Sequence, residues 1–89
     1  MNAVITVIGK DMVGILANVS TKCAELKVNI TEVTQSILQD TFCMMMLVDM
    51  KNCTLPLANF SDEMKALGKE KGLSIHVMHE DVFDSMYHV

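Results

Sequence analysis

Apolar and polar positions along this chain switch between two periods, and each switch marks the edge of an element. Residues 3–8 (AVITVI) are short, β-branched and apolar on both faces, which predicts a central strand covered on at least one side. After GKDMVG, the residues Ile15, Leu16, Val19, Cys23 and Leu26 recur at helical spacing, with Asn18, Thr21, Lys22 and Glu25 between them. This predicts an amphipathic helix over about 14–27. From Ile30 to Leu38 the reading is a strand, and its polar positions Glu32, Thr34, Gln35 and Ser36 suit an edge. Gln39, Asp40 and Thr41 form a tight turn into residues 42–50 (FCMMMLVDM), apolar on both faces, so the two strands should make an antiparallel hairpin.

The second half repeats the scheme. Pro56 stands where a first helical turn needs no amide donor, and Leu57, Phe60, Met64 and Leu67 then recur against Ser61, Asp62, Glu63, Lys65 and Lys69. Gly72 is placed to stop that helix, and residues 73–78 (LSIHVM) read as a fourth strand. In the tail, Val82, Phe83, Met86 and Tyr87 follow a possible cap at Asp81, which predicts a short final helix packed on the domain. The order βαββαβ, with right-handed crossovers, sets both long helices on one face of a four-stranded antiparallel sheet. The expected class is therefore α+β, a ferredoxin-like sandwich. Its opposite sheet face stays open, and either Cys43, Met45 and Leu47 or Met44, Met46 and Val48 must point there.

Length and charge narrow the functions. Eighty-nine residues, 51% of them apolar, make one small soluble domain, of a size that often gains stability by pairing. A net charge of -4 disfavours nucleic acid and anionic membranes as partners. The seven cationic residues are all lysines, so there is no guanidinium fork for phosphate or carboxylate. Cys23, Cys43 and Cys53 lack CxxC spacing, and no signal peptide or membrane-length apolar run is visible, which fits a cytoplasmic chain with reduced thiols.

The most informative stretch is GKDMVGI, residues 9–15, between the first strand and the first helix. Helix N-terminal amides are unpaired and the dipole favours negative charge there, so backbone alone can hold a carboxylate. Gly14 permits close approach, and Asp11 can cap the helix or receive an ammonium group, so an amino acid suits both halves. As a plain alternative, Asp11 is only an N-cap and Gly14 only a turn residue.

DMVGILANVS, then LKVNITEV, then the methionine-rich third strand resemble the ACT domain family along the whole chain, residues 1–89. VIGKDMVGI and the ending VFDSMYHV look like the small stand-alone ACT proteins of an uncharacterised bacterial and archaeal group, related to the ACT modules of a glycine-cleavage regulator. The resemblance implies a ferredoxin-like fold in a homodimer, often joined sheet edge to sheet edge. It also implies a regulatory role, with an amino acid or other small ligand held where the first loop meets the neighbouring subunit. It carries over to Asp11, Gly14 and Asn29, and the expected site is Asp11, Met12, Val13, Gly14 and Ile15 with Asn29 and Ile30. Met12 and Val13 depart from the further polar residues found in the first loop of some amino-acid-binding members.

Other classes fare worse. Nine methionines and three histidines invite a metal reading, but Met44, Met45 and Met46 should alternate across a strand, and His76 and His79 should diverge, leaving His88 in the tail. Acylphosphatase shares the fold class, yet its chemistry resembles phosphate capture by a first-loop arginine that is absent here. The carboxylates Asp62, Glu63 and Glu70 read as a solvated helix face. The sequence thus points to a non-enzymatic ligand-binding module without metal or cofactor, with an effector protein as a further partner. A ligand-free interaction domain is the runner-up.

Overall fold

The computed structural model describes residues 1–10 and 13–87, Tyr87 by its backbone alone; Asp11, Met12 and His88, which the sequence singled out, lie outside the described residues. The elements follow the order β1 (Asn2–Gly9), α1 (Ile15–Glu25), β2 (Asn29–Leu38), β3 (Thr41–Asp49), α2 (Leu57–Lys71), β4 (Ser74–His79) and α3 (Glu80–Tyr87). The sheet runs β2-β3-β1-β4, antiparallel at every pairing, and the order of elements along the chain and the fold class are those the periodicity implied.

Side-chain alternation decides which face is core. Ala3, Ile5 and Val7 pair across to Val48, Met46 and Met44, and all six are buried beneath Val19 and Cys23 of α1 and Phe60 and Met64 of α2. At roughly 1.5–3 kcal/mol for each fully buried side chain, this layer supplies most of the drive to fold. Cys43, Met45 and Leu47 take the other face, as one of the two registers required. That face is only partly open, because α3 turns back from β4 onto it and, with Phe83, walls in a sheet surface containing Val4 and Leu47.

The ends of the helices differ from expectation for local reasons. α1 starts at Ile15 behind Gly14 and closes at Leu26, whose successor Lys27 adopts φ 60. The Val28 amide donates to the Cys23 carbonyl at 2.8 Å and the Lys27 amide to that of Ala24 at 3.1 Å, a Schellman closure with lysine where glycine is usual. Pro56 is the N-cap of α2 rather than its first residue, and Gly72, at φ 73, stops that helix as expected. In α3 the cap is not Asp81: the helix begins at Glu80, and the Asp81 amide donates to His79 Nδ1 at 3.0 Å. Glu63 is not merely solvated either, since it meets Lys22 of α1 at 3.3 Å.

Candidate functional site

The loop after β1 leads into a helix N-terminus without a side-chain cap, because its N-cap is Gly14. The Asn18 amide opens the helical ladder by donating to the Gly14 carbonyl at 2.8 Å, so the amides of Ile15, Leu16 and Ala17 precede any helical partner and form the positive end. Gly14 is required by its backbone. Its φ is 76, where an L residue costs about 1–2 kcal/mol, while among the described residues an added Cβ would meet Asn18 Nδ2 at 3.7 Å, an ordinary contact. Val13 is exposed, whereas the Ile15 side chain is buried in the core and leaves only its amide to the loop.

The other half of the expected site lies at the far end of the same helix. Asn29 is exposed opposite Asp49, and Ile30, half-buried, packs on the core. Asn29 shares an open groove with Ala24, Lys27, Val28 and Asn52. Along the sheet, Asn29 stands in one row with Asp49 and Asn2, whereas Gly9, where the loop begins, stands in a row with Phe42 and Ile37. From Asn2 to Gly9 a strand extends about 23 Å, at ~3.3 Å per residue. Val13, Gly14 and Ile15 are thus brought together at one end of the sheet and Asn29 and Ile30 at the other, and a single chain does not join them.

Between the two halves runs β2, an edge strand of ten residues paired only with β3. A bulge at its start sets Thr31 out of register, and the Thr31 hydroxyl donates to the Leu47 carbonyl at 3.0 Å. Beyond the bulge the strand carries none of the usual protections of an edge except Glu32; lysine and proline are both missing from it. Val33 and Ile37 oppose the buried Met46 and Phe42, so they lie on the helix-covered face, yet they are 39% and 60% exposed, as α1 makes little contact with β2. Leu38 is 73% exposed. Sequence reading found the edge through its polar positions but missed the bulge, which no residue type signals.

Elsewhere the polar chemistry is sparse. Met44 and Met46 are buried while Met45 is turned to the other face, and His76 and His79 take opposite faces of β4. Among the described residues, no three His, Cys, Asp or Glu side chains are grouped to hold a metal ion. Cys23 is fully buried, and burial, with a smaller contribution from Cys53, pushes its thiol up to about 11. No helix among the described residues is long and apolar enough to cross a membrane.

Comparison with known proteins fits this architecture. The family model for the ACT domain matches residues 2–78. A UPF0237 protein of Listeria innocua is 44% identical over 87 residues, covering 98% of this chain and 98% of its own length. The solved structure of an ACT domain protein from Streptococcus pneumoniae superimposes with a TM-score of 0.84 at 37% identity, covering 98% of both chains. A putative glycine cleavage system transcriptional repressor shares the fold at a TM-score of 0.78 and 13% identity, over 86% of this chain and 45% of its own. The chain therefore belongs to the ACT domain family, whose model it matches over residues 2–78.

Proposed function

We propose that this chain is a non-enzymatic regulatory module that binds an amino acid or a similar small zwitterion as a homodimer joined β2 to β2. ACT domains are generally small-molecule-binding regulatory modules, which sets the class. The observation that carries the finer reading is the position of β2 between two half-sites that one chain holds apart. If β2 pairs antiparallel with its own copy about a two-fold axis near its middle, Asn29 of one copy stands opposite Leu38 of the other. The end of β2 at Leu38 is also the end at which the loop leads into α1. The same pairing covers Val33 and Ile37 and satisfies the bare edge.

In this arrangement the amides of Ile15, Leu16 and Ala17 receive the ligand carboxylate, a contribution of about 0.3–1 kcal/mol from the dipole alone. The side-chain carbonyl of Asn29 from the second copy accepts hydrogen bonds from the ammonium, and Asp11 supplies the opposite charge. A thermal-shift series over the common amino acids tests this, since a ligand at ~100 times its dissociation constant adds about 2.7 kcal/mol. One amino acid is expected to raise the melting temperature, with Asn29→Ala weakening it while leaving the fold intact. Silence from every amino acid would favour the ligand-free interaction domain.

A further inference from the structure

On the reading that the site is shared between two copies, Asn29 does not stand alone. It lines one groove with Lys27 and Asn52, so a ligand held by the Asn29 side chain lies beside an ammonium and a second amide. Ala24 and Val28 complete the groove, and no carboxylate residue lines it. Among the described residues the Lys27 ammonium makes no ion pair, since the bridges present join Lys22 to Glu63 and His79 to Asp81. Neither Glu25, two residues before it, nor Asp49, across the sheet from Asn29, is its partner; the Asp49 carboxylate accepts from the Lys51 amide at 2.9 Å. We propose that Lys27 is the specificity-determining residue of the shared site, and that the ligand is an amino acid whose side chain ends in a carboxylate.

Charge decides between the classes of amino acid. A ligand with its α-carboxylate at the start of α1 in one copy and its ammonium on the Asn29 carbonyl of the other brings a positive group to a groove that already holds an unpaired cation. For an amino acid with a neutral side chain that repulsion stands uncompensated, and a cationic side chain doubles it. A side-chain carboxylate reverses the sign, because it takes a charge-assisted hydrogen bond from Lys27 and another from the Asn52 amide. The backbone supplies an independent observation. Lys27 sits at φ 60 in the closing turn of α1, where glycine is the usual residue and carries no strain. The closure needs only the left-handed backbone, so the side chain is what the strained position keeps, and strain of this kind gathers where ligands are held. Glycine there would leave the groove without its cation.

Calorimetric titration of the whole protein with L-glutamate and L-aspartate tests this, each set against its amide isostere, L-glutamine or L-asparagine, in the wild type, Lys27→Gln and Lys27→Arg. One of the two acids is expected to bind at least about tenfold more tightly than its amide. Lys27→Gln is expected to melt as the wild type does, since glutamine already holds φ 58 at position 39, and to bind acid and amide alike. Lys27→Arg keeps the charge and is expected to keep the preference for the acid. Equal binding of acid and amide by the wild type, or a preference that survives Lys27→Gln, would overturn the proposal. The shared site is judged apart from it. A neutral amino acid that binds in place of the acids, and is lost in Asn29→Ala, removes the role of Lys27 and leaves the shared site standing, whereas silence from every amino acid removes both.

Discussion

Cys23 and Lys27, four residues apart at the end of α1, have opposite relations to their surroundings. Lys27 holds φ 60 because the Schellman closure of α1 demands a left-handed residue there, and an L side chain in that region is strained. Lys27→Gly should therefore stabilise the domain by about 1 kcal/mol, read as a rise of ~4–8 °C in melting temperature for a chain of this size. An unchanged or lower melting temperature would remove strain as the explanation. Cys23 is matched to its site only while neutral. Its thiol is held at about 11 against an ordinary value of 9.0, so the folded state binds the proton more tightly than the unfolded state. Its contribution is fully present below pH 9.0 and is lost as pH rises toward 11, at most about 1.4 kcal/mol per pH unit. Cys23→Ala should flatten that alkaline fall in chemical denaturation; an identical slope in the variant would assign the fall to other groups.

At the scale of elements, β3 shows why alternation was legible and β2 shows why register was not. Met44, Met45 and Met46 are chemically identical, yet Met46 is fully buried and Met45 is 38% exposed, as a period of two requires. Met46→Ala should cost about 2–5 kcal/mol by leaving a cavity, whereas Met45→Ala should cost far less. Comparable losses in denaturant unfolding would contradict the assignment of faces. The strands, both long helices and their order could be read from apolar spacing because burial enforces that spacing. The bulge at Thr31 and the cap at His79 could not, since each depends on a backbone placement that many side chains tolerate. α3 was expected only to pack somewhere. Its position over the sheet face, and the cavity it forms, follow from the tertiary path of β4 rather than from the tail's own pattern.

For the whole molecule, the separation of the half-sites is the finding with the largest consequence. Gly14 and Asn29 were legible as candidate residues from their positions at the loop and before β2, but no pattern in one sequence reports the ~23 Å between the two ends of the sheet. Distance of that size turns a question about ligand binding into one about assembly. If the site is built from two copies, dimerisation and binding are linked, and each must strengthen the other. Ile37 offers the means to separate them, since it is 60% exposed on the edge strand and is not part of the buried core of its own copy. Ile37→Lys puts a charge on that edge at little cost to the fold and should block strand addition.

The most direct measurement is therefore light scattering coupled to calorimetry on the wild type and on Ile37→Lys, at tens of micromolar protein, with the amino acid that gives the largest thermal shift. The wild type is expected to have twice the chain mass and to bind that amino acid, and Ile37→Lys to be a folded monomer that has lost both the pairing and the binding. A folded monomeric Ile37→Lys that binds the amino acid with full affinity, or a wild type that is monomeric while binding it, would contradict a site shared across β2.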